Sequence, residues 1–355
     1  MRSPVFSHQF ARNVLAVLFA LSSTALAQAQ AQNADEPRAI FESALKVATG
    51  LPGVESFVGP PPEGYVITPA GYFHKSCVRT LTKGERLLAD GRVQHADGTR
   101  DQDVPFCAYP RYTPAGTLIS PSTSTKNVQR AKGAIEATQP EISGWLEDAQ
   151  INTGSPTVSY GALIATWTVP PQPTSNDGQT LYFFPGFQDI NGAVNGVYTI
   201  LQPVLGWAGE QWSIASWNCC ISGVISQSPQ VNVSPGDQIY GSITSTCPAG
   251  TLSCPTWNVL TLDMSTGDST TLADAPSDGQ IFNWAFGAVL EPYYIVSCDD
   301  YPPNGYLSFA KITVFNQNLK PLSSTKWTPT VLTDGPPQCN YSVVPVTGHK
   351  VSLYY

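Results

Sequence analysis

Two polar side chains stand on apolar runs in the second half of the chain: Gln202 in TILQPVLGW and Glu291 at the end of AFGAVLE. If each run is a β-strand, Gln202 shares a face with Ile200 and Val204, and Glu291 shares one with Val289. A carboxyl group among apolar neighbours is desolvated, which raises its pKa and suits it to general acid or base chemistry. The alternatives are structural: a buried amide that satisfies its own hydrogen bonds, and a strand-end glutamate that faces water.

Other common catalytic systems have few candidate residues in this half. The four histidines are His8, His74, His95 and His349, and only His349 follows residue 140. A Ser-His-Asp or Cys-His site there would therefore depend on His349. The sequence has no H-E-x-x-H pattern, no Gly-rich phosphate loop that follows a strand and opens a helix, and no D-T-G pair of an aspartic peptidase. We expect carboxylate chemistry without a metal or another cofactor.

Charge divides the chain near residue 140. Residues 28–140 carry twelve basic and eleven acidic side chains, whereas residues 141–355 carry four lysines, no arginine and fifteen acidic side chains. All eight tryptophans also lie in the second part. We predict that residues 141–355 form a separate acidic domain that tolerates low pH, because protonation relieves its self-repulsion. Nucleic acid is not an expected partner, since phosphate contacts need Lys and Arg.

The first 27 residues are typical of an export signal. Arg2 and Arg12 precede or flank the apolar run VLAVLFAL, and Ala25-Leu26-Ala27 has the A-x-A form of a cleavage site. The alternative is a membrane anchor. The apolar run is shorter than the ~20 residues that span a bilayer, which favours the export signal. We expect a secreted or periplasmic protein that has no membrane partner.

The cysteines agree with export. An even number in an exported chain suggests disulfides, whose pairing cannot be read from a sequence. Local bridges Cys77–Cys107 and Cys247–Cys254 are plausible, and Cys219 and Cys220 could then reach Cys298 and Cys339. Metal binding is the alternative, but no C-x-x-C pair is present. The eight residues are Cys77, Cys107, Cys219, Cys220, Cys247, Cys254, Cys298 and Cys339.

Residues 28–140 are interpreted as a propeptide or a permanent accessory segment. The stretch SPSTSTKNVQRAK, residues 120–132, is polar like an exposed linker, and exposed linkers are where proteases cut. The turn signals Asp90-Gly91 and Asp97-Gly98, within the proposed Cys77–Cys107 span, predict a small disulfide-tied β unit.

Residues 141–355 alternate short strand-like runs with turn chemistry. The runs are YGALIATWTV, LYFF, VYTILQPVL, QWSIASW, QIYGSIT, WNVLTLD, NWAFGAVLE and LSFAKITVF, separated by turns such as SPGD, STGD and PPNG. Many short strands with such turns predict an all-β sandwich or barrel.

Taken in order, these stretches resemble the glutamic peptidases (eqolisins), acid endopeptidases whose catalytic dyad is a Gln and a Glu. TILQ matches the run that holds the family's Gln, and AFGAVLE followed by LSFAKITVF matches the strand that ends in its Glu. ATWTVP and SPGDQI match two further family stretches, so the resemblance covers roughly residues 145–318. The chain departs from the family's pattern at Gln188, Pro203, Ser216 and Pro292.

The resemblance implies a concanavalin-like, jelly-roll β-sandwich with Gln202 and Glu291 as catalytic residues. Glu291 would activate a water, Gln202 would bind the oxyanion, and Phe184, Trp207 and Trp217 would contact substrate. Expected partners are protein or peptide substrates and the chain's own N-terminal segment as inhibitor, in a monomer. The alternatives are a carbohydrate-binding lectin-like sandwich, marked by a row of surface aromatics, and a non-catalytic surface protein.

Overall fold

A computed structural model describes residues 63–112, 114, 118–119, 145–191, 199–219, 223–332 and 337–355, all within one compact unit. The predicted export signal, the linker at 120–132 and the domain boundary at residue 140 lie outside these residues. So does Cys220. Within the part of the chain that the structure describes, no helix has the length and apolar character needed to cross a membrane.

The described residues are almost entirely extended, and each of the eight runs listed above contributes a strand. In chain order the strands are β1 Tyr65–Thr68, β2 Gly71–His74, β3 Val78–Thr80, β4 Arg86–Leu87, β5 Val93–Gln94, β6 Arg111–Tyr112, β7 Leu118–Ile119, β8 Glu147–Asn152, β9 Tyr160–Thr168, β10 Thr180–Gln188, β11 Ile200–Trp207, β12 Trp212–Cys219, β13 Ile225–Gln227, β14 Val231–Val233, β15 Gln238–Ser245, β16 Thr256–Asp263, β17 Ser269–Pro276, β18 Trp284–Tyr293, β19 Tyr306–Asn316, β20 Thr328–Val331, β21 Ser342–Thr347 and β22 Lys350–Tyr354.

Two large sheets form the body of the fold. The front sheet has nine strands in the order β20-β8-β18-β10-β11-β12-β13-β3, with β14 also pairing with β12. The back sheet has seven strands in the order β17-β16-β15-β9-β19-β22-β21. Strands β1, β2, β6 and β7 form a small separate sheet, and β4 pairs with β5. The predicted all-β, jelly-roll-like sandwich is confirmed.

The inter-sheet core follows the period of two that the sequence predicts. On β9, Leu163, Ala165 and Trp167 are buried, whereas Thr166 is half-buried and Thr168 is exposed. Side chains two residues apart share a face, so the first three reach the core together.

Pro203 packs into this core on the side of the back sheet. Its ring lies against Gly241 of β15, where an added Cβ atom would lie 2.8 Å from Pro203 Cγ and 2.7 Å from Trp167 Cη2. Glycine is therefore required here by the close approach of the two sheets. Pro203 serves packing and does not point toward the face that carries Gln202, since adjacent strand residues point to opposite faces.

Gly241→Ala is expected to lower the free energy of unfolding by about 1–3 kcal/mol, because the extra methyl group must push two rigid rings apart. Urea unfolding measures the change. An unfolding free energy unchanged from that of the wild type would show that the sheets can separate here without cost.

Three disulfides join described residues: Cys77–Cys107, Cys247–Cys254 and Cys298–Cys339. The first two confirm the predicted local bridges. The expectation that Cys298 and Cys339 pair with Cys219 and Cys220 is wrong. The Cα atoms of Cys298 and Cys339 lie 5.5 Å apart, within the range that one disulfide spans, so the two bond to each other. Cys219, at the end of β12, is also disulfide-bonded.

Residues 63–112, here called the N-terminal segment, pack partly on the front sheet's outer face and partly against the edge of the inter-sheet core. Strand β3 extends the front sheet by pairing parallel with β13. Leu81, Leu87 and Val93 join the buried core at the sheet edge. Tyr72 and Phe73 belong to a second buried cluster, which they share with the front sheet.

Candidate active site

Gln202 and Glu291 lie on one face of the front sheet, two strands apart. Strand β10 runs between their strands, and Glu291 pairs with Tyr182 of β10. The neighbours that share a face with them, Val204 and Val289, belong to the cluster on the outer face. The intervening strand positions point into the inter-sheet core instead. We call this outer surface the dyad face.

A single turn of the N-terminal segment contacts Gln202 directly and is connected to Glu291 through Tyr293. This cover turn, Thr68–Gly71, connects β1 to β2. Gln202 Nε2 donates a hydrogen bond to the carbonyl oxygen of Pro69 at 3.1 Å. The Tyr293 hydroxyl lies 2.6 Å from Glu291 Oε1 and 2.9 Å from the carbonyl oxygen of Thr68, and Gly71 N donates to it at 3.0 Å. The dyad is therefore linked through one short stretch of backbone.

The two dyad side chains are fully buried, each with 0% of its surface exposed. Gln202 Oε1 and Glu291 Oε2 have no hydrogen-bond partner among the described residues. Burial raises the pKa of Glu291 to about 8, although hydrogen bonding by Tyr293 and by Trp145 opposes the shift. Glu291 therefore carries its proton at neutral pH while the cover turn is in place.

This arrangement has the parts needed for acyl transfer. An amide N–H already donates to a peptide carbonyl, which is the task of an oxyanion-hole donor. A carboxyl group on the same face has one oxygen held by Tyr293 and one without a partner. Exchange of a proton at that second oxygen is the chemistry expected of a general acid or base.

The structure brings Phe184 and Trp217 to the dyad face but not Trp207. Trp217 pairs with Gln202 across β11 and β12, and Phe184 packs edge-on against Trp145 with ring centroids 5.5 Å apart. Trp207 lies in the inter-sheet core beside Trp212, at 5.3 Å between ring centroids.

Ser216 also points into the space between the two sheets, where it bonds the back sheet. Its hydroxyl lies 3.0 Å from the Thr261 hydroxyl of the back sheet and 3.3 Å from the carbonyl oxygen of Thr270. Gln188 and Pro292 are the other departures from the family pattern, at the end of β10 and directly after Glu291. Within the described residues, no group of three or more His, Cys, Asp or Glu side chains could hold a metal ion.

Sequence reasoning missed the phenol beside the dyad and the cover turn. Tyr293 follows Glu291 by two residues, so the period of two places it on the same face, and this signal could have found it. Nothing in the local sequence of residues 68–71 indicates that they contact a strand more than 130 residues later.

The chain is structurally similar to glutamic peptidases. It resembles scytalido-glutamic peptidase with a transition state analog inhibitor, at 18% identity and a TM-score of 0.42, over 60% of this chain and 98% of that chain. It also resembles SCP-B, a member of the eqolisin family in a complex with the tripeptide Ala-Ile-His, at 16% identity and a TM-score of 0.41, over 59% and 98% of the two chains. Aspergilloglutamic peptidase from Aspergillus niger matches at 16% identity and a TM-score of 0.33, over 50% and 98%.

No protein-family model and no curated protein matches this chain. Identities of 16–18% leave the activity to be inferred from this chain's own residues.

Proposed function

We propose that this chain is a glutamic-type endopeptidase, a distant relative of the eqolisins, that hydrolyses peptide bonds with Gln202, Glu291 and an activated water. One observation carries the proposal. The Gln202 amide donates to the carbonyl oxygen of a peptide, that of Pro69, on the face where Glu291 keeps a carboxyl oxygen unpaired. In this proposal the Pro69 carbonyl stands in for the carbonyl of a substrate.

In this mechanism Glu291 takes a proton from a water molecule as the water attacks the peptide carbonyl, and then gives a proton to the leaving amine. Gln202 donates to the oxygen as it gains negative charge, a contribution of about 2.7–4 kcal/mol for one such donor. Removing the cover turn would expose the carboxyl group to water and lower its pKa toward the ordinary range. Glu291 can then ionise in mildly acidic solution, as a general base requires.

We further propose that the N-terminal segment keeps the enzyme latent. The support is direct occupancy: the backbone of the cover turn engages Gln202 and Tyr293, and the segment's apolar side chains cover the dyad face. A polypeptide substrate could not reach Glu291 while these contacts last, since the side chain has no exposed surface.

Acid would release this segment through ion pairs that lie away from the dyad. His95 bonds Glu85 at 2.7 Å and Asp101 at 3.2 Å, and Arg86 reaches Asp274 on β17 at 3.4 Å. Burial alone would raise the pKa of Glu85, but hydrogen bonds from Thr82 and His95 outweigh it and lower the pKa below its ordinary value of 4.5. The stability that Glu85 contributes is present above pH 4.5 and is lost as the pH falls through its lowered pKa.

Glu291 itself does not drive release in acid. Its pKa is raised in the covered form and would fall if the turn left, so protonation of Glu291 favours the covered form as the pH falls. The acid-sensitive contacts are therefore those of the N-terminal segment and its edge, and the dyad responds only after the segment has left.

The proposed location is outside the cytoplasm, in a secreted or periplasmic form. The three disulfides between described residues are typical of proteins that fold in an oxidising compartment. A lectin-like function has less support, since all eight tryptophans are buried and none forms the surface row that stacks on sugars.

Digestion of a denatured protein between about pH 2 and pH 7 tests the peptidase proposal. We expect the full-length wild type to cleave in acid and Glu291→Gln to show no cleavage above background, because Gln cannot exchange the proton. Glu210→Gln, a change at an exposed glutamate, is the matched control and should cleave like the wild type. Equal cleavage by the wild type and Glu291→Gln would reject the function.

A further inference from the structure

Tyr293 connects the dyad to the cover turn through one hydroxyl group. Its oxygen has three neighbours: Glu291 Oε1 at 2.6 Å, the Thr68 carbonyl oxygen at 2.9 Å and the amide nitrogen of Gly71 at 3.0 Å. The side chain is buried, with 4% of its surface exposed, so water does not compete for these bonds.

The protons can be assigned because a phenol carries only one. Gly71 N–H can only donate and the Thr68 oxygen can only accept. If Glu291 is protonated, it donates to Tyr293, Tyr293 donates to Thr68, and every contact has one donor and one acceptor. If Glu291 is ionised, Tyr293 must donate to the carboxylate and cannot also donate to Thr68. The covered arrangement therefore suits a protonated Glu291, and loss of the turn frees the phenol proton for the carboxylate.

We propose that Tyr293 is a positioning residue of the dyad: its hydroxyl holds Glu291 Oε1 so that Oε2 faces the reacting water, and the same hydroxyl holds the cover turn in the latent chain. The inference rests on the proposed peptidase function. The two carboxyl oxygens differ in their contacts: Oε1 bonds Tyr293, whereas Oε2 has no hydrogen-bond partner among the described residues.

The titratable groups that face Glu291 are phenols. Tyr72 approaches it from β2, Tyr182 from β10 and Tyr293 from β18 itself. Tyr293 is the phenol within hydrogen-bond distance of the carboxyl group. Its donated hydrogen bond favours the ionised carboxylate and so lowers the pKa of Glu291.

Tyr293→Phe in the full-length chain, activated in acid, tests this role. We expect kcat to fall about 10–100-fold, because the carboxylate loses its fixed orientation, with KM within about twofold of the wild type. The acidic limb of the kcat/KM profile should move up by about one pH unit, because the lost hydrogen bond stabilised the ionised form. Tyr160→Phe, at a buried tyrosine of the inter-sheet core, is the control and should leave the limb in place.

A second readout needs no activity. In the latent chain, the carboxyl stretching band that disappears in Glu291→Gln should move to higher frequency in Tyr293→Phe, because the carboxyl group loses its hydrogen-bond partner. An unmoved band, or an unmoved acidic limb, would overturn the positioning role even if kcat falls. If Glu291→Gln is inactive and Tyr293→Phe matches the wild type, only this inference fails. If Glu291→Gln keeps full activity, the proposed function fails with it.

Discussion

Gln202→Ala is expected to lower kcat of the activated enzyme by about 10²–10³-fold while KM stays within about threefold. The amide is aimed at a peptide carbonyl from a fully buried position, so its hydrogen bond strengthens as that oxygen gains charge in the transition state. An interaction that is stronger in the transition state than in the ground state appears in kcat and not in KM. Steady-state kinetics on a peptide substrate at the optimal pH measure both constants.

The same substitution should also weaken the latent state. Gln202 Nε2 is one of the groups that hold the cover turn, and a typical buried hydrogen bond contributes about 0.5–1.5 kcal/mol. Activation in acid should therefore be faster, although the activated enzyme is slower. Gln238→Ala, at an exposed residue at the start of β15, is the control for both rates. A kcat equal to that of the wild type would remove Gln202 from the mechanism.

Trp207 and Trp217 show what the alternation of side chains along a strand can predict and what it cannot. Trp207 lies five residues from Gln202 on the same strand, an odd separation, so a regular strand places it on the opposite face. The structure puts it in the inter-sheet core as that rule requires. Trp217 lies on another strand, and its place beside Gln202 depends on the register between β11 and β12. Register is set by turns and packing and does not follow from the local pattern.

The strands and the two polar residues on apolar strands could be predicted, whereas the cover turn could not. Apolar runs with turns between them fixed the all-β class, and a polar residue on such a run is visible in the sequence alone. The contact between Gln202 and Pro69 joins positions 133 residues apart, and no local sequence pattern indicates it. The bridge between Cys298 and Cys339 is a similar case, because it depends on two loops that meet only in the folded chain.

A second large effect is expected at a carboxyl group on the inter-sheet side of the front sheet, opposite the dyad face. Glu147 of β8 pairs with Leu290 of β18 and has 0% of its surface exposed. Its neighbours include the phenols of Tyr301, Tyr341 and Tyr355. Burial raises the pKa of Glu147 to about 9, with the backbone of Ser342 opposing the shift. The folded chain therefore holds this proton at neutral pH, and the unfolded chain does not.

The sign of the pH dependence follows from that difference. Below the ordinary pKa of 4.5, both states bind the proton and Glu147 adds no pH dependence to the stability. As the pH rises toward the folded pKa of about 9, stability falls by about 1.4 kcal/mol per pH unit. Burial also raises the pKa of Asp148 to about 7 and that of Asp278 to about 6, so these groups act in the same direction. These three buried groups are accordingly expected to stabilise the fold more in acid than at neutral pH.

Glu147→Gln should remove most of this dependence. Glutamine has nearly the shape of the protonated acid but cannot ionise. The effect of the substitution on the free energy of unfolding should therefore be about 2–4 kcal/mol more stabilising at pH 7.5 than at pH 4. Comparing the two pH values cancels any constant cost of burying the new amide. Urea unfolding at both values measures the difference, with Glu210→Gln as the exposed control. The same pH dependence in Glu147→Gln and the wild type would mean that Glu147 is ionised in the folded protein, and its neighbours would then have to supply hydrogen bonds strong enough to offset its burial.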